Sequence, residues 1–199
     1  GSAVFVGNLE ARDLENPLSW WEYVKGACWK HPEGPNSSVK GRENHPVVHI
    51  AYEDAEAYAR WAGKRLPTEA EWELATKANS HTNEDYYWGK ELKKDGKWMA
   101  NTYQGAFPKS NAKLDGFAGS APVKSFPANA LGLYDMVGNV WEWCSDYYRS
   151  GYDTNAIKVN PKGPADSHDP QEPGLVKRVQ RGGSFLCVDS YCERYKAGG

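Results

Sequence analysis

A helical period of apolar positions occurs in two places along the chain. In "YEDAEAYARWAGK", small or aromatic residues recur at Ala55, Tyr58, Ala59 and Ala62, with acids in the first turn and Gly63 placed as a C-terminal stop. The spacing predicts an amphipathic helix of about three turns. Pro67 then breaks the chain, and "TEAE" sets Thr68 three residues before Glu71, the spacing of a capping box, ahead of Trp72 and Ala75. A second helix is predicted to begin at Thr68. From about residue 80 onward the periodicity dissolves into short runs between turn dipeptides: "KKDGKW", "KLDGFAGSAP", "FPANALG", "NPKGP" and "DPQEPG". These predict short strands and long ordered loops, with "KGPADSHDPQEPG" as a mobile surface loop. Neither a linker nor an internal repeat divides the chain, so residues 1–199 read as one domain.

Composition explains how so irregular a pattern can still fold. Nine tryptophans and twelve tyrosines stand beside 20 glycines and 12 prolines, which describes a loop-rich globule whose aromatic rings supply much of the buried area. Disorder would carry few aromatics and a high net charge. A chain of 199 residues buries a sizeable core without needing disulfides. With 24 basic against 26 acidic residues there is no broad positive field, which argues against nucleic acid as a partner. No run reaches the roughly 18 apolar residues of a membrane span, and the opening residues lack the pattern of a secretory signal.

The candidate chemistry lies in "RGGSFLCVDSYCERY", residues 181 to 195, where Cys187 and Cys192 stand five positions apart. In an extended strand their α-carbons would be roughly 16 Å apart, and on a helix they would point about 140 degrees away from each other. The sulfurs can meet only if "VDSY" turns back on itself, for which Asp189 and Ser190 are suitable residues. Zinc would need about four ligands, and the histidines are scattered at positions 31, 45, 49, 81 and 168. Two sulfurs alone suit a softer ion such as Cu(I), left open to a third ligand from a substrate. Spacing by itself leaves core thiols, an incidental bridge, a metal site and a redox site all open.

The flanking residues are more specific. "RGGSFLCVDSYCERY" resembles the active-site segment of the formylglycine-generating enzymes, the sulfatase-modifying factors. So, in the same order, do "KGACWKHPEGPNSS" from Lys25, "HPVVHIAYEDAEAYARWAGKRLPTEAEWE" from His45 and "GLYDMVGNVWEWCSDYY" from Gly132. The resemblance implies an α+β fold: one compact mixed domain with little regular secondary structure, related to C-type lectin-like folds. It implies oxidation by dioxygen of a cysteine in a Cys-X-Pro-X-Arg motif of an unfolded or nascent sulfatase, giving Cα-formylglycine. Cu(I) would be held by Cys187 and Cys192, with the substrate sulfur joining as a third ligand. Ser184 would help form the oxygen pocket, Trp141 would wall the site, and Tyr191 would bring a hydroxyl near the reacting sulfur. Each of the three also has a plain structural reading, as a turn hydroxyl or a packed ring.

Two calcium sites are implied as well: Asn101 and Asp115 with backbone oxygens of Thr102 and Phe117, and Asp135 and Glu142 with carbonyls of Gly138 and Val140. Oxygen donors in loops suit a hard cation, though "DG" and "GN" also occur in ordinary turns. Cysteines that staple some secreted relatives are replaced here by Ala59, Thr76 and Ala197, which leaves Cys28 and Cys144 as free thiols. That favours a bacterial-type protein of the cytoplasm, expected to be a monomer. Against the family pattern the chain reads as incomplete at both ends. Three other functions compete: a non-catalytic peptide- or glycan-binding module, a thiol-disulfide exchanger, and an iron-dependent sulfoxide synthase, the last lacking its histidine-rich helical domain.

Overall fold

Both predicted helices form, and the better-signalled one begins where expected. The computed structural model describes residues 1–6, 16–78, 84–151, 159–188, 192 and 195–196. Helix α1 spans Tyr52–Trp61, with Glu53 and Asp54 in its first turn. It ends as Gly63, at φ +68, donates to Arg60 O at 3.0 Å. Helix α2 spans Glu69–Lys77 with Thr68 as N-cap and the full capping box. The Glu71 N–H donates to Thr68 Oγ1 at 3.2 Å, and the Thr68 N–H donates to Glu71 Oε2 at 2.9 Å. Glu71 is further gripped by both Arg65 guanidinium nitrogens at 2.7 Å. Those bonds hold its carboxyl near 2, below the usual carboxylate range.

The helices differ in what they bury. Trp72 of α2 packs with Met136, Cys144 and Val179 in one of two core clusters. Burying a tryptophan removes roughly 200 Å² from water, on the order of 5 kcal/mol before entropy is counted. On α1 the expected face is corrected. Ala59 is buried, but Tyr58 and Trp61 are 68 % and 80 % exposed and Ala62 is exposed too. The two rings meet each other at 5.6 Å instead, because residues three apart on a helix are neighbours. Helix α1 is held through Tyr52, whose ring meets Trp143 edge-on at 5.9 Å.

All strands among the described residues pair in two-stranded antiparallel ribbons. Strand β1, Ser2–Phe5, pairs with β2, Trp21–Val24. Strands β3, Lys93–Lys94, and β4, Lys97–Trp98, flank Asp95 and Gly96, whose φ values of +51 and +75 are those of a tight Asp-Gly hairpin turn. Strand β5, Gly105–Ala106, pairs with β6, Ser110–Asn111. Strand β7, Glu142–Tyr147, and β8, Arg178–Arg181, form the ribbon that carries α2. Asp146 of β7 accepts the Glu69 N–H at 2.9 Å, so the ribbon itself caps that helix.

Loops between these ribbons are ordered by backbone hydrogen bonds rather than by sheet. The Gly138 N–H donates to Gly182 O at 2.7 Å, Asn139 N–H to Asn101 O at 2.8 Å, and Phe185 N–H to Asn139 O at 2.9 Å. A side chain on Gly138 would stand 2.2 Å from Asn101 O, so this crossing requires glycine. The segment expected to be a mobile loop, residues 162–174, is pinned. Lys177 bridges Asp169 and Glu172, Arg149 holds Asp166 at 2.5 Å, and His168 N–H donates to Tyr148 O at 3.0 Å. Among the described residues, no helix is long and apolar enough to cross a membrane.

Candidate functional site

Past β8, Gly182 and Gly183 turn the chain at φ +90 and +72, leading into Ser184. The Cys187 N–H donates to Ser184 O at 2.9 Å, and Ser184 Oγ accepts the Leu186 N–H at 3.2 Å. A neighbouring loop fixes the other side of Cys187, whose carbonyl accepts the Tyr103 N–H at 3.0 Å. The Cys192 N–H then donates to Val188 O at 2.8 Å, which brings Cys192 back toward Cys187. The result is the bend that the spacing required: the two sulfurs lie 2.8 Å apart, the Cys187 thiol donating toward Cys192. A disulfide would need about 2.05 Å, and all four cysteines are free thiols.

Cys187 is 2 % exposed, whereas Cys192 is half-buried, so Cys192 is the more accessible of the two. The Ser184 N–H points at Cys187 Sγ from 3.4 Å, and the Ser184 hydroxyl stands 4.0 Å from the same atom. Around them pack Tyr86, Ala100, Val137 and Tyr195, with Tyr87, Trp88 and Leu92 at the margin. The hydrogen bond to Cys192, followed by burial, pushes the Cys187 thiol well above its ordinary range. Cys187 therefore keeps its proton at neutral pH, and an ion binding here must displace it.

The pair fits a soft ion in donor type and in having one accessible side. The sulfurs now lie 2.8 Å apart with the Cys187 proton in place, and an ion held by both would replace that proton. Among the described residues no group of three or more histidine, cysteine or carboxylate side chains converges as a closed metal site. The thiol pair would act as a two-sulfur site.

The residues implied for calcium can be followed through their hydrogen bonds and their unpartnered atoms. Asp115 Oδ2 accepts the Thr102 N–H at 3.2 Å, and Oδ1 accepts the Phe117 N–H at 3.0 Å. Asn101 Oδ1 is buried there without a hydrogen-bond partner. In the second set Asp135 Oδ1 is likewise buried and unpartnered. Burial, offset in part by the 2.6 Å hydrogen bond from Trp72 Nε1, raises Glu142 to about 7; the nearby Asp135 adds to the rise. Buried acceptors without donors are costly, and both sets fit a hard cation. Two residues here escaped sequence reasoning. Gln104 Nε2 donates to Asp115 Oδ2 at 2.7 Å, and Asn139 Oδ1 takes N–H bonds from Asn101 and Ala121 at 3.2 and 2.8 Å.

Of the remaining candidates, Tyr191 lies outside the described residues. Trp141 stands 36 % exposed just before β7 and is not among the rings packed on Cys187. Those rings are Tyr86, Tyr87, Trp88 and Tyr195. Tyr86, Tyr87 and Trp88 come from "DYYWG", and Tyr195 from the tyrosine tail after Cys192; ring density alone could have flagged them.

Loop-built fold and partly accessible dithiol together define a mixed α+β domain that presents two facing sulfurs on an irregular scaffold. The comparisons make this specific. The family model described as "Sulfatase-modifying factor enzyme 1-like domain" matches residues 3–198, and the chain belongs to that family. It is 50 % identical over 177 residues to a formylglycine-generating enzyme of Streptomyces coelicolor, covering 89 % of this chain and 54 % of that protein. It is also 45 % identical over 134 residues to a Bos taurus relative named "Inactive C-alpha-formylglycine-generating enzyme 2", covering 67 % of this chain and 43 % of the relative. Among solved structures, PvdO from Pseudomonas aeruginosa superposes with a TM-score of 0.53 at 26 % identity, over 78 % of this chain and 54 % of that one. The chain spans about half the length of the curated relatives it matches.

Proposed function

We propose that this chain carries the sulfatase-modifying activity of its relatives: oxidation by dioxygen of the cysteine in a Cys-X-Pro-X-Arg segment to Cα-formylglycine. The observation that carries this reading is the facing pair of Cys187 and Cys192, the first buried and the second more accessible. Copper(I) held by the two sulfurs would supply the activation of dioxygen. Cys192 would be the side on which a substrate sulfur approaches, while Cys187 anchors the pair from within. The Ser184 N–H, 3.4 Å from Cys187 Sγ, would stabilise negative charge on that sulfur once its proton has left. The packed rings of Tyr86, Trp88 and Tyr195 would keep water from the inner sulfur. Trp141, Ser184 and Tyr191 retain the roles that the family resemblance gives them, and the two oxygen sets would hold calcium as structural ions.

Family membership does not by itself bring catalysis, since a relative at 45 % identity is named inactive. The deciding experiment incubates the chain with a Cys-X-Pro-X-Arg peptide in air, with and without added copper, and captures aldehyde with a hydroxylamine probe. Aldehyde that depends on copper is expected. A chain that binds one equivalent of Cu(I) at its sulfurs yet forms no aldehyde would leave the non-catalytic peptide-binding reading in its place.

A further inference from the structure

What holds two sulfurs this close is a contact away from them. A Cβ on Gly183 would stand 2.7 Å from Cβ, 3.0 Å from Cα and 3.1 Å from N of Tyr195. Two of those three atoms are backbone, so no rotamer of Tyr195 relieves the overlap. Nor is Tyr195 free to retreat. It is buried, its ring stacks on Tyr86 at 6.0 Å and 11°, and Tyr86 stacks on Trp88 at 4.8 Å and 2°. Tyr86 is itself fixed by reciprocal backbone hydrogen bonds with Gly89 at 3.0 and 3.2 Å. The chain thus leaves this point at Gly183, carries both cysteines, and is back against the same point at Tyr195.

We propose that the Gly183–Tyr195 contact is a positioning pair that sets the separation of the Cys187 and Cys192 sulfurs, with the Tyr86–Trp88 stack as its backstop. The inference rests on the reading of those sulfurs as the working pair. With the neck closed, each sulfur meets the other at a high effective concentration. A side chain at 183 must therefore displace one of the two points between which the stretch carrying both sulfurs is closed.

The test is a glutathione titration of the whole chain without copper or peptide. Glutathione disulfide takes up two electrons while the two thiols lose two protons and form one S–S bond, releasing two glutathione thiols. The equilibrium reads the effective concentration of the pair, with peptide mass spectrometry identifying the 187–192 bridge. Gly183→Ala is expected to lower it about tenfold or more. Gly132→Ala is the control, since Gly132 has a similar φ of +76 but nothing within 4 Å of a Cβ. It imposes the same backbone strain and should leave the equilibrium unchanged. Wild-type behaviour in Gly183→Ala, or an equal fall in Gly132→Ala, overturns the proposal. If Gly183→Ala does not fold, Tyr86→Leu decides, with a fall of about threefold expected on loss of the backstop and no change overturning the idea. Because neither copper nor peptide is present, failure here leaves the oxidase reading standing. An inactive protein with an intact thiol equilibrium sinks the oxidase reading alone.

Discussion

The sulfur site and the two oxygen-lined loops solve opposite problems. Cys187 and Cys192 lie against each other: their sulfurs are 2.8 Å apart, and hydrogen bonds hold the Cys187 N–H and carbonyl and the Cys192 N–H. Asn101 and Asp135 each leave a buried oxygen without a partner. One region has its reactive groups in contact with each other, and the other carries two unpartnered oxygens that a bound cation would relieve. A guest at the sulfurs should therefore matter for chemistry and little for folding, while a guest at the oxygens should matter for folding first.

Four measurements break or sharpen that contrast. The largest effect is expected from Cys187→Ser or Cys192→Ser, which should weaken Cu(I) binding and peptide oxidation by about 100-fold or more. The melting temperature should barely move; a large drop in Tm would show the thiol pair to be structural. Next, calcium chelation should lower Tm by about 4–24 °C, from roughly 1–3 kcal/mol for each of the two stranded acceptors, and excess calcium should restore it. Unchanged melting on chelation would remove the cation from the comparison.

The third measurement uses Glu142, whose carboxyl is raised by burial to about 7. For a raised acid the fold favours the protonated form. Without calcium its stabilising contribution is present below the unfolded carboxylate range near 4.3 and is lost as pH rises through about 7. Denaturant titrations should show stability falling across that window, and Glu142→Gln should flatten the dependence. Calcium should flatten it too, by holding the carboxylate ionised; a pH profile that calcium leaves untouched would count against Glu142 as a ligand. The smallest effect belongs to a change outside both regions. Thr68→Ala removes the N-cap of α2 and should cost about 1 kcal/mol, a Tm shift of about 2–4 °C, with copper binding unaffected.

How legible these features were in the sequence follows from how local their causes are. The start of α2 could be read from "TEAE" because a capping box is a contact between residues three apart, and the Asp-Gly hairpin is as local. The meeting of Cys187 and Cys192 could be stated only as a requirement. It depends on a bend that no residue type imposes, and on a neck closed by Gly183 and Tyr195 across a longer stretch. The buried face of α1 was misread because alanines and a tyrosine satisfy the helical period whichever side meets the core. The family resemblance named Asn101, Asp115, Asp135 and Glu142, but not Gln104 or Asn139, whose contacts come from side-chain amides reaching across loops. The segment at residues 162–174 looked mobile by composition and is held by ion pairs with partners outside it, Arg149 and Lys177.

Seclusion of Cys144 has a practical use. This thiol has no exposed surface, lies under α2 and is raised by burial to about 12. Cys28 and Cys192 are both partly open to solvent. A small alkylating reagent should therefore mark the folded chain at those two positions and leave Cys144 silent until the helix lifts from its ribbon. The modified mass of the Cys144 peptide then becomes a built-in gauge of opening, readable in crude mixtures and under conditions where optical probes of nine tryptophans overlap.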